Sequence, residues 1–339
     1  DNSRDNSAHQ AGDVAVSGDW EVSPDLALGV QASLFDSKSG IPNDRFTNDP
    51  NDEGRTKNRI GAFTLAGTPW SWCDLGLTAS HSRDDLEFDG PEPNPPYYSG
   101  DVSSVTKGKR NLVDLQNILA LAPGHQLLLG GTYEEVDAEH TSSSSFGDTE
   151  MAPDQVSRSV FGAYGFGRGG RFEVNCGARL DDYATFGSHN TWRAGGRLNV
   201  PADMVVRGNI GTGFRAPSLA DLFYPGFSNP DLVPEKSLGW DLGLEVPLAG
   251  EVFRVRATWF SNRFTDLIAY STETFRPENI AEASTEGLEA VLDWKVGAGW
   301  IVRASYTWLP TAENETENTR LLRRAEHSGS LNFFGPVLD

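Results

Sequence analysis

A chain of 339 residues with 36 glycines, 19 prolines and a formal net charge of −20 is long enough for several small domains or one large barrel. The acidic balance argues against a nucleic-acid partner, which would need a basic face. Mean hydropathy is −0.42, and no apolar run approaches the roughly eighteen residues of a membrane helix.

Taken in chain order, about fifteen stretches have strand character, and the joints between them alternate between short and long. The tight joints are Pro24-Asp25, Gly67-Thr68-Pro69, Pro123-Gly124, Gly169-Gly170, Pro201-Ala202-Asp203, Ala249-Gly250 and Gly297-Ala298-Gly299. The long, polar ones fall near 38–57, 85–108, 138–155, 182–190, 216–235, 271–283 and 311–320. Turns at one end and loops at the other are the pattern of an outer-membrane barrel, whereas a soluble sandwich mixes turn lengths at both ends.

Within the stretches apolar residues alternate with polar ones. Phe172, Val174, Cys176, Ala178 and Leu180 oppose Arg171, Glu173, Asn175 and Arg179. Leu288, Ala290, Leu292 and Trp294 oppose Glu289, Asp293 and Lys295. Many stretches run to about ten residues, against five or six for soluble strands, and about nine to eleven are needed to cross a bilayer at a tilt. Aromatic residues gather near strand ends (Trp70, Trp72, Trp300, Trp308, Phe333, Phe334), where an interfacial girdle belongs. The expected fold is all-β, a transmembrane antiparallel up-and-down β-barrel; a soluble β-rich binding protein or lectin-like hydrolase is the competing reading. In the barrel the apolar series faces lipid and the charged series the lumen. An arginine at Leu292 is then expected to cost about 2–4 kcal/mol, and position 293 to tolerate one.

Catalytic motifs are missing: there is no GxSxG, HExxH or P-loop, and the six histidines are scattered. The chain is not expected to be an enzyme. Asp84-Asp85 and Asp181-Asp182 at strand–loop junctions are read as solvated rim. Cys73 and Cys176 lie far apart with no metal spacing, and Cys176 belongs to an apolar-facing series.

One segment is more specific. Residues 211–223 read Gly-Thr-Gly-Phe-Arg-Ala-Pro-Ser-Leu-Ala-Asp-Leu-Phe, and 229–237 read Asn-Pro-Asp-Leu-Val-Pro-Glu-Lys-Ser. This pair resembles the TonB-dependent outer-membrane receptor family, in which a strand ends in GxxxxAP and NPxLxPEKS opens the next. Asn262 to Ile268 is similar to that family's NxxxDLI strand. Glu282 to Glu289 is similar to its GxAxxxGxE strand, with Glu282 where glycine is usual. Thr319 to Ala325 and Phe186 to Trp192 are similar to segments of the cobalamin (vitamin B12) transporter branch.

The resemblance implies a twenty-two-stranded barrel, an N-terminal plug and a TonB box. Residues 1–339 would be a partial barrel holding about fifteen of those strands, without the plug; both ends look like cuts. The implied activity is active import of a scarce, bulky nutrient, cobalamin first, with a ferric siderophore or haem as the alternative and a passive porin-like barrel less favoured. The implied partners are TonB, the nutrient, and outer-membrane lipid and lipopolysaccharide; the implied location is the bacterial outer membrane. Ligand contacts are expected from loop aromatics, Tyr97, Tyr98, Phe223, Tyr224 and Phe227, which offer contact area at small entropic cost. Calcium is the implied cofactor, with Asp1, Asp5 and Asp36 as ligands, although Phe35 stands where the branch has tyrosine.

Overall fold

The computed structural model describes residues 6–41, 52–90, 102–144, 147–167, 169–297 and 299–336. The strands are β1 (His9–Ser23), β2 (Leu26–Gly40), β3 (Glu53–Trp70), β4 (Cys73–Gly90), β5 (Val102–Ala122), β6 (His125–Ser144), β7 (Gly147–Met151), β8 (Asp154–Phe166) and β9 (Phe172–Tyr183). They continue with β10 (Gly187–Val200), β11 (Met204–Arg215), β12 (Glu235–Leu248), β13 (Phe253–Ser271), β14 (Arg276–Gly297), β15 (Trp300–Asn314), β16 (Thr319–Arg320) and β17 (His327–Phe334). One helical turn, α1 (Leu219–Phe223), lies between β11 and β12. Successive strands pair antiparallel along the meander. The short β7 and β16 are additions inside the β6–β8 and β15–β17 connections, so fifteen strands carry the sheet, as the sequence suggested.

The sheet is turned inside out relative to a soluble protein. Its accessible area is 21607 Å², against about 13,600 Å² expected for a compact monomer of this mass. Among the described residues the buried apolar side chains are Cys73, Leu222, Leu232, Ala283 and Ala312, joined by Pro234. The alternating series is exposed instead: Trp240, Leu242 and Leu244 on β12, Phe63 on β3, Val113 and Leu115 on β5. The opposite face is polar and cross-linked. Arg254 on β13, Asp293 on β14 and Arg303 on β15 lie opposite one another in register. Arg256 and Arg303 bond the Asp293 carboxylate at 2.6 and 2.5 Å, and Arg254 reaches Glu245 at 2.8 Å. An apolar face with no protein over it, backed by an ion-paired face, is the arrangement of a strand between lipid and a wet lumen. Leu292 points outward and Asp293 inward, as expected. The geometry argues against the expected tolerance at position 293, because that carboxylate binds two guanidinium groups.

The tight turns lie at one end. Pro24-Asp25, Pro123-Gly124 and 201–203 connect strands as foreseen, and Gly124, Ala202 and Asp203 supply the positive φ such turns require. One joint moves. Strand β3 runs past Thr68 and Pro69 to Trp70, with a register break after Gly67. Proline has no N–H for the ladder, so it sits in the irregularity while the turn passes to Ser71 and Trp72. Trp70 and Trp72 stack there at 5.6 Å.

Several expected loops shrink. Residues 184–186 join β9 to β10, and 272–275 join β13 to β14. Above the apolar band both strand faces meet water, so alternation vanishes from the sequence while the ladder continues. From Arg59 to Trp70 on β3 is eleven residue steps, roughly 36 Å of strand at about 3.3 Å each. At a tilt of about 40° that is roughly 28 Å of height, close to the band of a membrane barrel.

A candidate ligand-binding mouth

The β11–β12 connection is a built structure at the loop end. Ser218 caps α1: its Oγ accepts from Asp221 N at 3.1 Å, and the Asp221 carboxylate accepts from Ser218 N at 3.0 Å. This reciprocal box supports a helix far too short to stand alone. Leu222 on α1 and Leu232 and Pro234 further along the same connection are buried. Asn229 donates to the Pro277 carbonyl at 3.0 Å. Asn279 accepts from Val233 N at 2.9 Å and donates to the carbonyls of Val233 and Asp266 at 2.8 and 2.6 Å. The loop is thus tied to the β13–β14 hairpin by backbone groups that would otherwise be unpaired.

A clasp closes its base. Arg215 forks onto Glu235 at 2.7 and 2.5 Å, and Ile268 N donates to the same carboxylate at 2.9 Å. The Arg215 hydrogen bond, opposed by partial burial and aided by the Ile268 amide, holds Glu235 below its ordinary range. The same contact raises Arg215. A lowered carboxyl stabilises the fold above its unfolded pKa and loses that contribution as pH falls through the lowered folded value. The clasp is therefore expected to be intact at neutral pH and to open only below the usual glutamate range. Protease nicking within 224–233, followed against pH, should rise at low pH in the native protein and be raised and pH-flat in Glu235→Gln.

Beside these buried residues Phe223 and Phe227 are exposed. Tyr224 lies 6.4 Å from Phe227 and 5.6 Å from His140, centroid to centroid. His140 is on β6, separated from β11 by β8, β9 and β10, so this contact spans the concave side of the sheet. Its Nδ1 meets Thr106 Oγ1 at 2.8 Å, and its Nε2 is buried with no partner among the described residues. Between these walls the upper ends of β9, β10 and β11 carry a cluster of rings. Phe186 stacks on Tyr183 at 4.4 Å, and His189 lies 5.7 Å from Phe186 and 5.4 Å from Phe214. Below it Asp181, 3% exposed, accepts from Ser159 Oγ at 2.6 Å and Arg179 Nε at 2.8 Å. Its second oxygen has no partner among the described residues.

The expected trio Phe223, Tyr224 and Phe227 is brought together on this loop. Tyr97, Tyr98, Asp1 and Asp5 lie outside the described residues. Asp36 faces outward in the Leu34 series, and Arg55 takes both its oxygens at 3.0 and 2.7 Å, which does not fit a calcium ligand. Among the described residues no group of three or more His, Cys, Asp or Glu side chains is assembled for a metal. Asp85 and Asp181, expected on a solvated rim, are buried instead, each against arginines that replace water. His140, Tyr183, Phe186, His189 and Phe214 carry no contact signal of their own in the sequence, although Phe186 and His189 sit in a segment that resembles the cobalamin branch.

The sequence profile for TonB dependent receptor-like β-barrels matches residues 2–338. The chain belongs to the TonB-dependent receptor family. Its relatives are outer-membrane β-barrels, and so is this chain. The vitamin B12 transporter BtuB of Photobacterium profundum is 29% identical over 243 residues, covering 68% of this chain and 38% of the transporter. The copper transporter OprC superposes with a TM-score of 0.79 at 14% identity, covering 97% of this chain and 57% of OprC. The ferric yersiniabactin uptake receptor FyuA of Yersinia pestis gives 0.78 at 12% identity, covering 96% and 56%. This TonB-dependent barrel chain thus spans well under two thirds of the relatives it matches.

Proposed function

We propose that this chain forms most of the wall and part of the mouth of a TonB-coupled importer whose nutrient is cobalamin. The observation that carries the reading is the stretch shared with a vitamin B12 transporter. The mouth is consistent with it. Flat aromatic faces from Tyr224, Phe227, Phe186 and Phe214 suit a large planar ring system, and His140 and Asp181 offer polar atoms that lack partners among the described residues. The chain's family and its transporter relative support reading the mouth as a site for capture rather than chemistry. Import would follow from TonB acting through a plug, the task the family assigns to its periplasmic side.

The second reading is a ferric siderophore, because several structures of this shape are siderophore receptors. Their identities of 18% and 12% support the fold alone. Calorimetric titration of the full-length protein separates the two. Heat with cobalamin and none with a ferric siderophore panel is expected; siderophore binding without cobalamin binding would replace the first reading with the second.

A further inference from the structure

We propose that a cavity in the lumen wall below the mouth receives a phosphodiester joined to a flat base, as a second station on the import path. The inference rests on the cobalamin reading, since cobalamin carries one such arm, a phosphodiester linked through ribose to a benzimidazole. The cavity holds about 400 Å³ and is lined by Leu128 on β6, Phe161 and Ala163 on β8, Arg179 on β9, and Thr191 and Arg193 on β10. These residues alternate with the exposed outward series Leu129, Val160, Leu180 and Trp192, so their side chains face the lumen.

Arg193 is the uncompensated charge. Its side chain forms no hydrogen bond or ion pair among the described residues. Opposite it in register stand Gly177 on β9 and Gly211 on β11, which have no side chain to offer. Neighbouring lumen-facing arginines are matched: Arg110 meets Glu134 at 2.8 Å, Arg197 meets Glu173 at 3.7 Å, and Arg179 meets Asp181 at 2.8 Å. Arg207 reaches Thr258 Oγ1 at 3.2 Å. Asp181 and Ser159 fix Arg179, whose guanidinium carbon lies 5.2 Å from the Phe161 ring centroid. The cavity therefore presents one free guanidinium, and a second seated over an aromatic ring, beside an apolar wall. Guanidinium forks pair with phosphate oxygens in two parallel bonds, and their planes stack on aromatic faces.

The lining decides the occupant. A carboxylate from another part of the protein would satisfy Arg193 and leave Leu128, Ala163 and Phe161 uncovered, whereas a phosphodiester with its flat base would cover both. Arg193 stands four residues along β10 from His189, towards the tight turn at 201–203. That is roughly 13 Å of strand at about 3.3 Å each, which sets this station apart from the rings of the mouth.

The test follows initial uptake, at saturating solute, of radiolabelled cyanocobalamin and of dicyanocobinamide, which keeps the corrin ring and lacks the phosphodiester arm, in cells making the full-length protein. Arg193→Gln should lower the cobalamin-to-cobinamide ratio of rates about tenfold, the scale of one lost charge-assisted contact, and Arg193→Lys should recover most of it. Thr191→Asp, which sets a carboxylate beside Arg193 on the same face, is the second variant should Arg193→Gln fail to fold, and should do the same. Equal loss of both solutes would mean that Arg193 holds a segment of the protein and would overturn the assignment, as would an unchanged ratio in either folded variant. No uptake of cobalamin by native protein would overturn the nutrient reading itself, a failure visible before any variant is made.

Discussion

Asp293→Lys is expected to destabilise the barrel more than Leu292→Arg beside it, although residue 292 faces lipid. Removing the Asp293 carboxylate leaves Arg256 and Arg303 facing each other across the space it filled, and lysine adds a third positive charge. Breaking one partner out of a buried pair costs about 3–5 kcal/mol; a value of about 3 is expected, because the lumen is wet and the arginines are partly exposed. Leu292 sits one outward position from Trp294, near the lower girdle. The 2–4 kcal/mol cost of a midplane arginine falls toward about 2 there, since the side chain can reach the interface. Urea titration of full-length protein folding into vesicles measures both. A smaller cost at 293 than at 292 would mean that the inward ion-pair row contributes little to holding β13, β14 and β15 in register.

The contrast shows what was legible in the sequence. Period-two alternation in Leu288 to Trp294 gave the face of every residue, because lipid and lumen impose opposite polarity on neighbouring positions. It could not give partners. Those follow from register, which places Arg254 and Arg303 on either side of Asp293 though the three are distant in sequence. The same gap explains the aspartates. Asp85 and Asp181 look solvated because they end polar stretches, yet cross-strand arginines bury them. Loop lengths are overestimated for a related reason: near 182–190 and 271–283 polarity marks the exit from lipid, not the end of pairing. That Phe223, Tyr224 and Phe227 share one loop is legible, because they are close neighbours in a single connection between strands. The contacts of His140 with Tyr224 and of Tyr183 with Phe214 are not, because they form only when distant strands are brought round in space.

Tyr224→Ala is expected to weaken nutrient binding tenfold or more, about 1.4 kcal/mol or above. Tyr224 contributes ring area of its own, and buried aromatic anchors dominate binding energies. It also meets His140 across the interior, fixing how far the loop leans over the mouth. Phe227→Ala removes an exposed ring without that cross-contact, so its effect should be smaller and confined to lost area. Asn279→Ala separates anchoring from contact. It deletes the two hydrogen bonds that tie Val233 to the β13–β14 hairpin and one inside the hairpin, loosening the loop, which Asn229 still anchors to Pro277, while every mouth ring keeps its place. If pre-positioning matters, Asn279→Ala weakens binding through a less favourable entropy. Titration calorimetry on the full-length variants reads both affinity and its enthalpic share. Unchanged affinity in Tyr224→Ala, with the loop still folded by its protease resistance, would remove the mouth between β6 and β11 as the binding site and leave the barrel assignment intact.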